Sequence, residues 1–512
     1  MRIAHYYMRG QTDLMISGYW GPLLSWLIVP WLLVFDDPLL AAHAAMAVSA
    51  VVFLFGCFCV LRAARLPGTA IMIGTWITAV LSVAWSGVVI TPDLLMAGLF
   101  CCGTSRLLSG QWVTNARTAL GAGMVLGVAY LAKAVVLPVS ALMILGLAGT
   151  HVAVCQRSLR QTIRATILIV AGFLSVAGPW IGMLSYTYGH LVFSTSGPIN
   201  HALVGPPDMP RRHPDKLHFY QPDPGRITTL EDRTHLPYNY WSPFESVPYA
   251  VHQANVIARN AHAIVECLKT FDWFGLGLVS AMFGYLFGTP WRKTLQEEPW
   301  RLSVIPIAAV VLLYLPVYVG LVPPTRNTVV ERYFWVTFPF LSAASFGFAL
   351  HVSGALVKHC AIQRALAFAV VTVALLIGNK DDVLQAFARS GRASGHTAKL
   401  LAHQLRTTGL IGSVAAVGSL PLDGRYVAYL LNVPSVGHIE NVEDPEEILS
   451  SGAALVIVPR GTALAQQLRE DRRFTSADQP LFGCDEAKAK AFEVFLTRPP
   501  TAREPCADSG SG

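Results

Sequence analysis

Two charged side chains lie at the ends of apolar stretches that are typical of membrane helices. Asp93 follows Thr91-Pro92 at the start of one stretch, and Lys133 ends another. A charge inside a bilayer costs about 2.5–3.5 kcal/mol on insertion scales, so each needs a reason. A carboxylate can bind a metal or accept a proton, and an ammonium can bind a phosphate. The structural alternatives are a helix cap for Asp93 and a lysine that snorkels to the headgroups.

A second basic group lies in the segment from Pro323 to Tyr333. It contains Arg326 and, at the start of an apolar helix, Arg332. Arginine suits phosphate because its guanidinium can engage two oxygens at once. The alternative is an Arg-Tyr anchor at the membrane interface.

The composition excludes several classes of protein. Of 512 residues, 53% are hydrophobic and 13% charged, with a mean hydropathy of +0.47, whereas soluble domains carry about 25% charged residues. A wholly soluble protein and a mainly disordered one are therefore excluded. The net charge of +7 lies in the apolar part, since residues 380–512 are slightly acidic. It indicates membrane topology rather than a nucleic-acid partner.

Apolar segments long enough to be membrane spans recur through the first three quarters of the chain. They lie near residues 39–60, 70–90, 93–109, 118–132, 135–150, 165–187, 273–289, 302–321, 333–354 and 364–379. Arg and Lys concentrate in alternate loops, which are therefore cytoplasmic. This orientation places the 188–272 loop, the 322–332 loop and the tail outside. Asp93, Lys133 and Arg332 then share one outer level.

These patterns predict an α-helical polytopic membrane protein of about 10–12 transmembrane helices with a small C-terminal α/β extramembrane domain. We expect residues 1–38 to form an outer juxtamembrane segment that lacks a first span, the alternative being that residues 19–35 cross the membrane. Residues 39–379 are expected to form the transmembrane domain, including the outer loop 188–272. Short β-like runs at Gly412–Val417 and Ala453–Val458, and a helix start at Asp444-Pro445, predict an α/β domain over 395–502. Residues 503–512 are expected to be disordered.

Four patches of the sequence resemble the polytopic glycosyltransferases of the C-type fold, such as protein O-mannosyltransferases and lipid A aminoarabinose transferases. The patches span roughly residues 15–380 and are Gly18–Trp26, Thr91–Leu95, Gly127–Lys133 and Glu331–Pro339. They resemble the family's aromatic-Pro-Leu-Trp segment, its acidic motif, its Gly-Leu-x-x-Leu-x-Lys segment and its late Arg-Tyr helix.

The resemblance implies transfer of a sugar from a polyprenyl-phosphate donor to a lipid, polysaccharide or protein acceptor at the periplasmic face of the inner membrane. Asp93 would be a catalytic or metal-side acid, and the donor phosphate would meet Lys133, Arg332, Tyr333 and Arg326. A divalent metal (Mg²⁺, Mn²⁺ or Zn²⁺) often assists in the family. Whether a hexose or a pentose is moved stays open.

The chain departs from the family pattern at its start. The family has a full span and its main catalytic Asp ahead of the aromatic segment, whereas only seventeen residues precede Gly18 here and Asp13 is the sole acid among them. We therefore expect either a true start upstream or an inactive form. The competing functions are a lipid-linked sugar transporter or flippase and a non-catalytic membrane scaffold. Inverted repeats, which would favour a transporter, are not evident in the sequence.

Overall fold

The computed structural model describes residues 1–210, 213–271, 298–316, 332–356, 361–381, 383–384, 395–420, 422–477 and 491–497. The chain divides into two compact units. The first consists mainly of the described residues of Ile3–Met209 and Tyr240–Gly391. The second consists mainly of Pro210–Asn239 and the described residues from Arg392 onward.

The first unit is helical. Its described residues form the helices α1 (Arg2–Arg9), α2 (Thr12–Met15), α3 (Pro22–Leu32), α4 (Pro38–Ala63), α5 (Gly68–Val88), α6 (Asp93–Leu108), α7 (Ala116–Ala132), α8 (Val136–Ala153), α9 (Leu159–Tyr188), α10 (Ser196–Ala202), α11 (Val247–Phe271), α12 (Val304–Tyr314), α13 (Phe338–Leu356) and α14 (Ala361–Gly378). Short 3₁₀ segments include Gln111–Val113, Pro299–Ser303 and Arg332–Thr337.

Helices occupy the positions of nine of the ten predicted spans, and the remaining one, 273–289, lies outside the described residues. Among the described residues, five helices are long and apolar enough to cross a membrane: Pro38–Ala63, Gly68–Gly87, Val136–Ala153, Leu159–Tyr188 and Arg332–His351. The aromatic patch Gly18–Trp26, here called the N-terminal aromatic segment, leads into the short apolar helix α3, which has 11 residues. The chain is thus a multi-pass membrane protein.

Glycines allow four of these helices to touch backbone to backbone. A Cβ on Gly123 of α7 would lie 2.0 Å from the carbonyl oxygen of Ile169 in α9, and one on Gly172 of α9 would lie 2.2 Å from that of Leu120. A Cβ on Gly56 of α4 would similarly lie 2.4 Å from a backbone oxygen of α6. Small residues at helix contacts permit this close approach in membranes. The contacts fix α6, which begins at Asp93, and α7, which ends just before Lys133.

Aromatic packing holds the segment that begins with Arg332. The indole of Trp335 stacks on that of Trp85 from α5, with ring centroids 4.8 Å apart and an interplanar angle of 14°. Phe338 meets the same Trp85 ring edge-on at 5.8 Å. Both Trp85 and Trp335 are fully buried. This packing anchors the 3₁₀ segment Arg332–Thr337 within the helical unit.

The described residues of the second unit contain a sheet of the strands β1 (Val414–Val417), β2 (Ser435–Ile439), β3 (Leu455–Pro459), β4 (Phe474–Ser476) and β5 (Phe492–Thr497). Their order in the sheet is β2-β1-β3-β5-β4. Strands β1, β2 and β3 are parallel, while β5 runs antiparallel to β3 and to β4. Four helices of this unit are His396–Thr407, Gly424–Leu431, Pro445–Ser450 and Ala463–Glu470. The sequence prediction of a small α/β domain with strands near 412–417 and 453–458 is confirmed.

The middle of the 188–272 loop belongs to this second unit. The backbone N–H of Tyr220 donates to the carbonyl of Val436 at 2.9 Å, and the N–H of Ser435 donates to the carbonyl of Ile227 at 2.7 Å. Ile227 is buried in the hydrophobic core beside Val414. The loop therefore covers the edge strand β2, which would otherwise present unpaired backbone groups.

Candidate functional site

Asp93 is the centre of a polar cluster in the helical unit. It is the first residue of α6, where a carboxylate interacts favourably with the positive end of the helix dipole. Its side chain is only 2% exposed. The hydroxyl of Thr91, two residues earlier, donates a hydrogen bond to the carboxylate. The short Thr-Pro-Asp turn thus both starts the helix and orients its acid.

Two cations reach Asp93 from distant parts of the chain. The Nζ atom of Lys133 lies 2.5 Å from Oδ1 of Asp93, and Nε of Arg332 lies 3.7 Å from Oδ2. The side chains of both cations are about a quarter exposed, at 24% and 23%. The structure therefore brings together three charges that the sequence placed at one outer level, and it ion-pairs them.

The aromatic ring of Tyr333 contacts both cations. The Nζ atom of Lys133 lies 4.3 Å from the centroid of the Tyr333 ring, and the Arg332 Cζ atom lies 5.1 Å from it. Nη2 of Arg332 also donates to the Tyr333 hydroxyl at 3.2 Å. A cation over an aromatic face is attracted by the ring quadrupole. The ring of Tyr314 packs 5.8 Å away and supports this arrangement.

The N-terminal aromatic segment packs against the turn that carries Lys133. Helix α7 ends at Ala132, and Lys133 adopts an extended backbone. A Cβ on Gly21 would lie 2.4 Å from the carbonyl oxygen of Leu131 and 2.6 Å from that of Ala132. Only glycine permits this approach. Two of the four patches that carry the family resemblance, Gly18–Trp26 and Gly127–Lys133, are therefore in direct contact.

The cluster has the charge needed to hold an anion. Among the described residues, Asp93, Lys133 and Arg332 carry a total of one positive charge. An ammonium and a guanidinium provide donors in excess of what one carboxylate can accept. A phosphate group, with its several acceptor oxygens, is the ligand class that such a pair of cations binds well.

The remaining predicted site residues are placed differently. Asp13 is exposed on α2, where the Thr12 hydroxyl lies 3.5 Å from it. Within the described ranges, no hydrogen bond or ion pair links Asp13 to the Asp93 cluster. Arg326 lies outside the described residues. Sequence reasoning assigned no role to Thr91 or to Gly21, although a Thr two residues before an acid and a Gly-Pro before a helix are visible signals.

The described residues do not form a metal centre. Lys133, Arg332 and the Thr91 hydroxyl already face the carboxylate oxygens of Asp93, and such a set of donors and cations does not favour a metal ion. No three His, Cys, Asp or Glu side chains in the described part of the chain come together as metal ligands. A divalent metal therefore stays a prediction from the family resemblance alone.

The chain has structural relatives, although no protein-family model and no curated protein matches its sequence. In structure, the chain is similar to ArnT from Cupriavidus metallidurans bound to undecaprenyl phosphate, with a TM-score of 0.52 and 13% sequence identity over 98% of this chain and 93% of that one. The apo oligosaccharyltransferase of Archaeoglobus fulgidus matches with a TM-score of 0.46 and 11% identity, over 86% of this chain and 62% of that one.

The match to ArnT covers nearly the full length of both chains, including the helical unit and the small sheet. The fold predicted from the four sequence patches is therefore confirmed. The chain has the polytopic membrane fold of the C-type glycosyltransferases.

Proposed function

We propose that this protein is a membrane glycosyltransferase. It transfers a hexose or a pentose from a polyprenyl-phosphate carrier to a lipid, polysaccharide or protein acceptor, at the periplasmic face of the inner membrane. The observation that carries the proposal is the cluster that Lys133 and Arg332 form on Asp93, with the Tyr333 ring against both cations. The solved ArnT structure, which has undecaprenyl phosphate bound, supports the same ligand class.

The cluster supplies the electrostatics that such a transfer needs. When an acceptor oxygen attacks the anomeric carbon of the donor, the bond between that carbon and the phosphate oxygen breaks. The electron pair stays on the phosphate, whose charge rises. Cations held in place before the reaction stabilise charge that develops in the transition state. Lys133 and Arg332 would do so on the leaving phosphate.

Asp93 has a different part in this scheme. Because its carboxylate pairs with both cations, we propose that it orients them rather than removing the acceptor's proton. Acceptor activation would then fall to another carboxylate, for which Asp13 is the candidate from the sequence.

The test is a transfer assay on the full-length protein in lipid nanodiscs, with a radiolabelled polyprenyl-phosphate sugar and a membrane extract as the source of acceptors. We expect Lys133→Ala and Arg332→Ala to abolish labelled product. Lys399→Ala removes a partly buried lysine of the second unit and should leave transfer intact. Translocation of the carrier without a glycosylated product would instead indicate a flippase, and equal transfer by all variants would contradict a role for the cluster.

A further inference from the structure

Asp93 is an anion placed against the two cations that would hold the donor phosphate. Its Oδ1 atom is 2.5 Å from Lys133 Nζ and its Oδ2 atom is 3.7 Å from Arg332 Nε. Any phosphate bound by these cations therefore lies within a few ångströms of the carboxylate. The carboxylate is almost fully buried, so solvent screens the resulting repulsion little.

The ligands on the two sides of the proposed reaction differ in charge. A sugar linked to a polyprenyl phosphate is a phosphodiester with one negative charge. The polyprenyl phosphate left after transfer is a phosphomonoester, which carries about −1.5 to −2 near pH 7 because its second pKa is about 6. Transfer therefore makes the bound ligand more negative by as much as one unit of charge.

We propose that Asp93 is a specificity-determining residue that weakens binding of the phosphomonoester product relative to the phosphodiester donor. This inference rests on the proposed function. Repulsion by the carboxylate scales with the charge of the ligand, so it acts most strongly on the product. The charged groups that face Asp93 in the described structure are Lys133 at the end of α7 and Arg332 of the 3₁₀ segment. Asp93 lowers the charge that these two cations present, and the product is released more readily.

The size of the effect follows from the distances. One unit charge about 6 Å from another, at an effective dielectric constant near 20, changes an affinity by about a hundredfold before screening. Partial exposure of the two cations reduces this, and the product's second charge is incomplete at neutral pH. We therefore expect removal of the Asp93 charge to shift the ratio of the two affinities by about tenfold.

The experiment measures binding of undecaprenyl phosphate and of its methyl diester to the full-length protein in nanodiscs at pH 7.5. In Asp93→Asn, the affinity for the monoester relative to the diester should rise about tenfold. In this variant, the relative affinity for the monoester should also increase more steeply between pH 5 and pH 8 than in the wild type, because the Asp93 carboxylate no longer repels the second charge of the phosphate. Thr91→Val, which keeps the carboxylate charge but removes its hydrogen bond, should leave the affinity ratio unchanged.

A second pair of variants keeps the test available if Asp93→Asn does not fold. The double variant Asp93→Asn/Lys133→Met lacks both members of the ion pair. Because it differs from Lys133→Met in the charge of Asp93 alone, comparing these two variants isolates the effect of that charge. The affinity for the monoester relative to the diester should again be about tenfold higher without the Asp93 charge. An equal change for both ligands, or weaker relative binding of the monoester, would overturn the inference. Wild-type protein that binds neither ligand would instead contradict the proposed function itself.

Discussion

The ion pair between Asp93 and Lys133 should be a measurable element of stability. Removing Lys133 leaves a carboxylate that is 2% exposed and that has, among the described residues, Arg332 as its remaining cationic partner. At an effective dielectric constant near 20, the gross attraction is about 7 kcal/mol across the 2.5 Å contact and about 4 kcal/mol across the 3.7 Å contact. Lys133 therefore contributes more than Arg332 to holding the buried charge.

Desolvation offsets most of these gross energies. Breaking a fully buried pair by removing one partner costs about 3–5 kcal/mol, and the 24% exposure of Lys133 lowers that figure. We expect Lys133→Met to destabilise the protein by about 2 kcal/mol and Arg332→Met by about 1 kcal/mol. Asp93→Asn should cost less than Lys133→Met, because the freed ammonium can reach water.

The assay is a double-mutant cycle on unfolding in mixed micelles with increasing SDS, for the wild type, Asp93→Asn, Lys133→Met and the double variant. The double variant should be more stable than the sum of the single losses predicts, with a coupling energy of about 1–2 kcal/mol. Additive losses, within about 0.5 kcal/mol, would contradict a stabilising interaction between Asp93 and Lys133.

Three further predictions concern helix packing, the pH dependence of the second unit and ligand binding. Gly123→Ala should weaken the packing of α7 on α9 and lower the unfolding temperature, since its Cβ would lie 2.0 Å from a backbone oxygen; Gly149→Ala, where a Cβ meets nothing within 4 Å, is the control in the same thermal scan. Burial, aided by Arg233 and Lys216, lowers the pKa of His213 to about 3, so the unfolded chain binds a proton near pH 6.5 that the folded second unit does not. The free energy of unfolding of that unit should be highest above pH 6.5 and should fall as the pH is lowered, by about 2 kcal/mol at pH 5. Amide hydrogen exchange in β3 would measure this change, and His213→Gln should make the unfolding free energy less dependent on pH. Undecaprenyl phosphate at a hundred times its Kd should stabilise the wild type by about 2.7 kcal/mol, an effect that Lys133→Ala and Arg332→Ala should weaken and EDTA should not.

Much of the fold was predictable because the bilayer imposes simple rules. A span must be apolar over nearly its full length, and cytoplasmic loops collect Arg and Lys, so nine helices lie where hydropathy placed them. The strands at Val414–Val417 and Leu455–Pro459 were equally visible as short apolar runs. The outer loop was not predictable in this way. Its segment around Phe219 to Ile227 pairs with β2, and no local pattern specifies a pairing with a strand about 210 residues away.

The alternation of apolar spans predicts that Asp93, Lys133 and Arg332 share one level of the membrane, because a charge at a helix end has only two levels to occupy. Their meeting in one cluster is a property of the tertiary structure. The contact depends on Gly123, Gly172 and Gly56, which allow helices to approach at backbone distance, and on Gly21, which lets the N-terminal segment press against the turn before Lys133. The distance between two packed segments depends on the shapes of both contacting surfaces, and the hydropathy profile of the sequence does not specify it.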